Sequence, residues 1–197
     1  MAPELSAPRV VWCGVGALGS NTVVLCRNLA AQHVFIDGDR VESKNLLAQA
    51  WVKQSVGKNK AEALKTQLLN FYGLKTEALG VRLTGDNVGT LLSGAALVVD
   101  CFDNMASRSL LAAHCRQSAQ PLVHAGLSGD GTVGLVRWAE RFTPDPEDHA
   151  GQATCEDGAH LPLVALVAAT LARTVQDFLK AGARHDALVS LNGSQRT

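Results

Sequence analysis

In the stretch VVWCGVGALGSNTVVLC, three glycines, Gly14, Gly16 and Gly19, close an apolar run and open a helical one. A turn of this kind binds anions. The first glycine permits the tight turn, the second lets a phosphate approach the backbone, and the third lets the helix pack on its strand. Backbone N–H groups and the positive end of the helix then face the phosphates. Ser20 and Asn21 fall in the first helical turn, where they add contacts or serve as ordinary helix-start residues. Asp37 stands about 20 residues further on, where a carboxylate reaches ribose hydroxyls. Asp39 either shares that task or shapes the turn. These features fit NAD and ATP equally well.

Further candidates lie downstream. Lys58 and Lys60 open a helix in VGKNKAEAL. Positive charge is unfavourable at a helix N-terminus, so the pair argues for an anionic partner. Asp100 and Asp103 end a strand in VVDCFDNMASR. Both are expected on the rim at the carboxyl ends of the strands, where ligands bind, with Asp100 the more structural of the two. The competing role for Asp103 is a helix N-cap. Of five cysteines, only Cys155 sits in a polar, loop-like setting. A nucleophilic thiol needs access and a lowered pKa, which neighbouring Glu156 and Asp157 do not provide. His149 and His160 are the nearby bases.

These residues require a scaffold that brings them to one rim. Apolar strand-like runs (RVVWCGV, HVFIDGD, TEALGVRL, AALVVDC, PLVHAGL) alternate with helical segments through residue 126. That alternation predicts a Rossmann-like, doubly wound α/β fold, with a mainly parallel sheet flanked by helices. GTVGLVRW, near residues 131–138, follows a Gly-Asp-Gly turn and reads as an antiparallel extension. A polar loop over about 141–160 precedes a long, mostly apolar helix capped by Gly182. Loops of that length are usually functional or mobile. With 197 residues, 47% hydrophobic, the chain is expected to form a single domain over 1–197. Basic and acidic residues balance at 18 each, which gives no charge excess for nucleic acid or membrane surfaces. We expect no membrane span, no secretory signal, a cytoplasmic location with reduced thiols and, without a CxxC pair, no structural zinc.

GVGALGSN, IDGDRVESKNLLAQ, VGKNKAEAL and VVDCFDNMASR, in this order, resemble the motifs of the E1-like activating enzymes, the ThiF/MoeB/HesA group. Their patterns read GxGxxGS-N, DxDxVxxSNLNRQ, GKxKA and DxxDNxxxR. TCEDGAHLPLVALVAATLARTVQDFLKAG is similar to the family's Cys-containing crossover loop and last helix. The resemblance implies ATP and Mg²⁺ as cofactors. It implies adenylation of the C-terminal carboxylate of a ubiquitin-like or sulfur-carrier protein ending in Gly-Gly. By the same resemblance Asp37 binds ribose, Asn45 and Lys60 contact phosphates with Lys58 as rival, and Asp103 beside Asn104 holds the metal. Arg108 matches the family arginine, and Cys155 takes the activated carboxylate as a thioester or joins sulfur transfer. A homodimer is expected, and a conjugating-enzyme or sulfur-transfer partner fits the Cys155 role.

The chain departs from the family at one charged position. NLNRQ is NLLAQ here, so the arginine that stabilises the leaving phosphates is Ala48. Losing such a charge commonly costs orders of magnitude in phosphoryl transfer. The short arm before Arg9 offers no evident counterpart of the family's upstream arginine, and Arg9, Arg40 and Lys53 are the candidate replacements. Three readings follow: an active adenylating enzyme, a catalytically weak nucleotide-binding scaffold, and an NAD-dependent oxidoreductase. The last lacks an evident catalytic Tyr–Lys or His–Asp arrangement.

Overall fold

The computed structural model describes residues 7–139, 158 and 160–196. Eight strands form one sheet in the order β3-β2-β1-β4-β5-β6-β7-β8. They are β1 (Arg9–Cys13), β2 (Gln32–Ile36), β3 (Glu77–Leu79), β4 (Leu97–Asp100), β5 (Leu122–Leu127), β6 (Val133–Trp138), β7 (Ala187–Ser190) and β8 (Gly193–Arg196). The first five pair in parallel, and β6, β7 and β8 add antiparallel. β1 lies between β2 and β4, so the connections diverge beside it and leave a crevice at the carboxyl ends of the strands.

The parallel strands are apolar because both sheet faces are covered. Successive side chains alternate between faces. Val10 and Trp12 join Phe35, Leu97, Val99 and Val123 in one core, while Val11 and Cys13 join Val34, Ile36, Val98 and Leu122 in the other. The first core is closed by α1 (Ala17–Leu25), α2 (Lys60–Tyr72) and α5 (Leu161–Ala181), and the second by α3 (Val88–Leu91) and α4 (Met105–Gln117). By length and composition α5 is apolar enough to cross a membrane. Its stripe Leu163, Val164, Val167, Leu171 and Val175 is instead buried in the first core.

Several elements differ from the sequence reading. α1 stops at Leu25, short of Leu29, and Cys26 caps it through Thr22 and Val23 carbonyls. The third strand shrinks to Glu77–Leu79, and the Asn59 amide packs against Gly80 just beyond it. The connection after β2 contains two short 3₁₀ turns, Ser43–Leu47 and Lys53–Ser55. The β7–β8 hairpin has no counterpart in the sequence reading. Its signal was the Asn192–Gly193 pair, with Gly193 at φ 124°.

The turn after β1 is fixed by sterics. Gly14 has φ 82° and donates its N–H to the Ile36 carbonyl at 2.9 Å. A Cβ on Gly19 would stand 2.1 Å from the Gly14 carbonyl oxygen, whereas one on Gly16 would find only the Gln49 amide, at 4.0 Å. The turn geometry therefore favours glycine at 14 and 19, whereas a Cβ on Gly16 would meet little. Beneath this turn, Trp12 Nε1 donates to Nδ1 of buried His33 at 3.1 Å. Burial pushes the His33 pKa below its ordinary 6.5.

Gly19→Ala is expected to cost about 3 kcal/mol, lowering Tm by roughly 6–12 °C, while Gly16→Ala stays within about 1 kcal/mol; thermal denaturation of both variants checks this. His33 is neutral in the fold and has a depressed pKa, so its contribution is fully present above the unfolded value of 6.5 and declines as pH falls below it. Urea midpoints should drop below that pH in the wild type and drop less in His33→Gln, which keeps an acceptor for Trp12.

Candidate functional site

The carboxyl rim at β1 and β4 gathers most of the sequence-derived candidates. Asp37 follows β2 directly, and its buried carboxylate spans two segments. Oδ2 accepts the Val15 N–H of the glycine turn, and Oδ1 accepts the Asp39 N–H, both at 2.9 Å. Burial raises the Asp37 pKa, and the Lys60 ammonium and those two N–H groups pull it down. The carboxylate thus ties the loop after β2 to the glycine turn.

α2 opens against the same loop. Asn59 caps it by accepting the Glu62 N–H at 3.2 Å, and its amide donates to the carbonyls of Asp37 at 2.8 Å and Asp39 at 3.1 Å. Lys60 donates its backbone N–H to the Asp39 carbonyl at 2.8 Å. The two lysines therefore part company. Lys60 is folded inward, its side chain 13% exposed, with Nζ 3.4 Å from Asp39 Oδ2. Lys58 is exposed and meets the loop through its backbone carbonyl and the Val41 N–H. Sequence reasoning gave Asn59 no role, although Asn before KAEAL, three residues ahead of Glu62, is a helix-start signal.

The turn after β4 completes the rim. Asp100 and His124 are register partners on β4 and β5, both fully buried, with Oδ2 and Nδ1 2.7 Å apart. Asp100 Oδ1 accepts the Phe102 N–H at 2.9 Å. Arg108 donates through Nε to the Phe102 carbonyl at 2.6 Å and through its terminal nitrogen to the Ala125 carbonyl at 3.0 Å. Asn104, not Asp103, is the N-cap of α4, accepting the Ser107 N–H at 2.9 Å. Asp103 is left exposed on a turn that its neighbours hold still. Cys101 and Phe102 touch the space beside Gly14, so this turn abuts the glycine turn.

Other candidates carry structural duties. Ser20 is fully buried, its hydroxyl donating to the Gly16 carbonyl at 2.6 Å and accepting the Ala50 N–H at 3.1 Å. It shapes the turn instead of lining its open face. Asn21 donates to the Ala48 carbonyl at 3.0 Å. Asn45 is buried and accepts the Glu42 N–H at 2.9 Å within a capping box. Gln49, unassigned from sequence, presents its amide nitrogen to Gly16. Ala48 is packed in the first core. Arg9 cannot replace the missing guanidinium at this rim. It starts β1 at the opposite end of the sheet and donates to the carbonyls of Leu91 and Ser93. Arg40 donates to the Gly57 carbonyl at 2.7 Å, and Lys53 is exposed at its 3₁₀ turn. His160 packs its ring on Gly131. Cys155, His149, Glu156 and Asp157 lie outside the described residues.

The arrangement offers backbone N–H groups, the buried Asp37 carboxylate, the inward Lys60 ammonium and the exposed Asp103 carboxylate. Among the described residues no three His, Cys, Asp or Glu side chains cluster as metal ligands.

Comparison with known proteins gives the lineage. The ThiF family profile matches residues 3–193. The chain is 27% identical over 191 residues to the adenylyltransferase and sulfurtransferase UBA4 of Debaryomyces hansenii, covering 89% of this chain and 42% of that protein. It is 30% identical over 140 residues to the molybdopterin-synthase adenylyltransferase of Salmonella typhimurium, covering 69% and 56%. It is 32% identical over 127 residues to the SAMP-activating enzyme E1 of Haloferax volcanii, covering 63% and 47%. The chain thus spans about half the length of these relatives. Escherichia coli MccB crystallised with ATP shares the fold at a TM-score of 0.77 and 18% identity, over 98% of this chain and 64% of MccB. With the glycine turn, the acid-bearing loops and the sheet order all in place across nearly its whole length, the chain belongs to the ThiF family.

Proposed function

We propose that this chain is an ATP-dependent adenylyltransferase that activates the C-terminal carboxylate of a ubiquitin-like or sulfur-carrier protein ending in Gly-Gly. The observation that carries the reading is that the glycine turn is held by Asp37, that Lys60 folds in against the Asp37–Asp39 loop, and that the Cys101–Phe102 turn leading to Asp103 abuts Gly14. The names of the relatives, a SAMP-activating enzyme and a molybdopterin-synthase adenylyltransferase, support the same substrate class.

The reaction joins two anions, so catalysis is mostly positioning and charge neutralisation. The carrier carboxylate oxygen attacks the α-phosphorus of ATP. The bond to the β-phosphate oxygen breaks, and pyrophosphate leaves with that electron pair. Gly16 leaves room for phosphate against the backbone, Asp37 receives ribose hydroxyls, and Lys60 neutralises the leaving phosphates. Mg²⁺, held by Asp103 and phosphate oxygens, would neutralise further charge there. Cys155 is the proposed acceptor in a second step. Its thiolate attacks the acyl carbon and AMP departs, leaving a thioester. We further propose one adenylation domain over 1–197, a homodimer, and a cytoplasmic setting.

A specific observation favours a second reading. Ala48 places a methyl in the core where the family motif has arginine, and Arg9 points elsewhere. A scaffold that binds ATP with weak or no catalysis follows if no partner supplies that charge.

ATP–pyrophosphate exchange with a Gly-Gly-tailed carrier separates the two. The enzyme reading expects carrier-dependent exchange that falls about 100-fold or more in Asp103→Ala. ATP that raises Tm without any exchange establishes the scaffold. Cys155→Ala should leave exchange intact while abolishing a thiol-sensitive carrier adduct on gels.

A further inference from the structure

Asp39 was expected either to bind ribose or to shape its turn, and its surroundings suggest a different task. Its backbone is fixed. The carbonyl accepts the Lys60 N–H at 2.8 Å and the Asn59 amide at 3.1 Å, and its own N–H is tied to Asp37. Its side chain is 58% exposed and meets two cations. Oδ2 lies 3.4 Å from Lys60 Nζ, and Oδ1 lies 3.8 Å from an Arg82 nitrogen. The Arg82 stem covers Gly38, where a Cβ would meet its Cγ at 2.5 Å.

The two acids of the Asp37–Gly38–Asp39 loop are thus divided. Asp37 turns to the glycine turn through the Val15 N–H. Asp39 turns to the ammonium that the nucleotide reading assigns to phosphate. Lys60 is largely covered, so its charge is not simply left to water. An exposed carboxylate is a weak partner in water. A triphosphate carries several charges and offers a stronger one. The carboxylate therefore holds the ammonium at the entrance to the site in a contact that a phosphate can displace.

We propose that Asp39 is a positioning residue for Lys60, an internal stand-in for phosphate that keeps the ammonium at the rim and yields it to an incoming triphosphate, and that it is not a ribose ligand. This rests on the nucleotide-site reading above. Removing the carboxylate's charge should then strengthen triphosphate binding, the opposite of what losing a ribose ligand would do.

The test is isothermal titration calorimetry of the full chain with ATP and with AMP, in wild type, Asp39→Asn, Lys60→Ala and the double variant. Asp39 is exposed and its variant isosteric, so folding should be kept, and matching Tm values verify this. The proposal expects Asp39→Asn to bind ATP about threefold tighter, with AMP unchanged and no gain in the Lys60→Ala background. Weaker binding of ATP and AMP alike would make Asp39 a ribose ligand and overturn the proposal. A gain that persists without Lys60 would overturn it in favour of the general field of the acid. Unchanged ATP affinity in Asp39→Asn would also overturn it. Failure of the wild type to bind ATP at all would remove the nucleotide reading itself, and this inference with it.

Discussion

The buried carboxylate of Asp37 is the contact on which the rim depends. It receives one N–H from the glycine turn and one from its own loop, so it clamps the carboxyl ends of β1 and β2 together. A carboxylate taken out of water is costly unless its lone pairs are occupied. Those two N–H groups and the nearby Lys60 charge counter that burial only in part, so the Asp37 pKa stays raised. The same loop receives the start of α2 through Asn59 and Lys60. Glycine turn, buried acid and ammonium are therefore one connected unit, and a change at Asp37 would be felt in all three.

A second buried acid organises the other wall. Asp100 is neighbour to His124 because β4 and β5 run parallel in that register. The pair orients the Asp100 carboxylate to the Phe102 N–H, and Arg108 takes the Phe102 carbonyl. Removing His124 would take the Nδ1 contact from Asp100 Oδ2, while Oδ1 keeps the Phe102 N–H. The two acids of VVDCFDN thus have distinct duties. The first builds the turn from below, and the second is free to face a ligand.

One charged position is where this chain departs from the family motifs, with Ala48 in place of arginine. Ala48 packs among apolar neighbours while its carbonyl anchors Asn21, so the local backbone is well supported without a guanidinium. Lys60 is then the inward cation of the α2 start, and the acids around it matter more. The Asp39–Lys60 contact, at 3.4 Å, joins the loop after β2 to the start of α2.

The glycine turn, the strand-ending acids, the parallel βα order and the family motifs were all legible because each depends on local spacing. Glycine spacing sets a turn, and alternating apolar runs set strands. The capping role of Asn59 was equally local and was overlooked, as was the Asn192–Gly193 hairpin signal. Other assignments depended on tertiary neighbours. Which lysine of VGKNKAEAL turns inward is decided by the Asp39 loop folding over α2. That Ser20 is sealed by the Ala50 N–H, and that Arg9 lies at the wrong end of the sheet, follows from chain packing that no local pattern encodes. By itself, the sequence determined the lineage, the fold class and the residue types at the rim, because these are written in short-range periodicity and motif order. Only the tertiary structure decided which polar side chains face an open site and which hold the backbone, because a hydrogen-bonding group has one set of partners and folding chooses it.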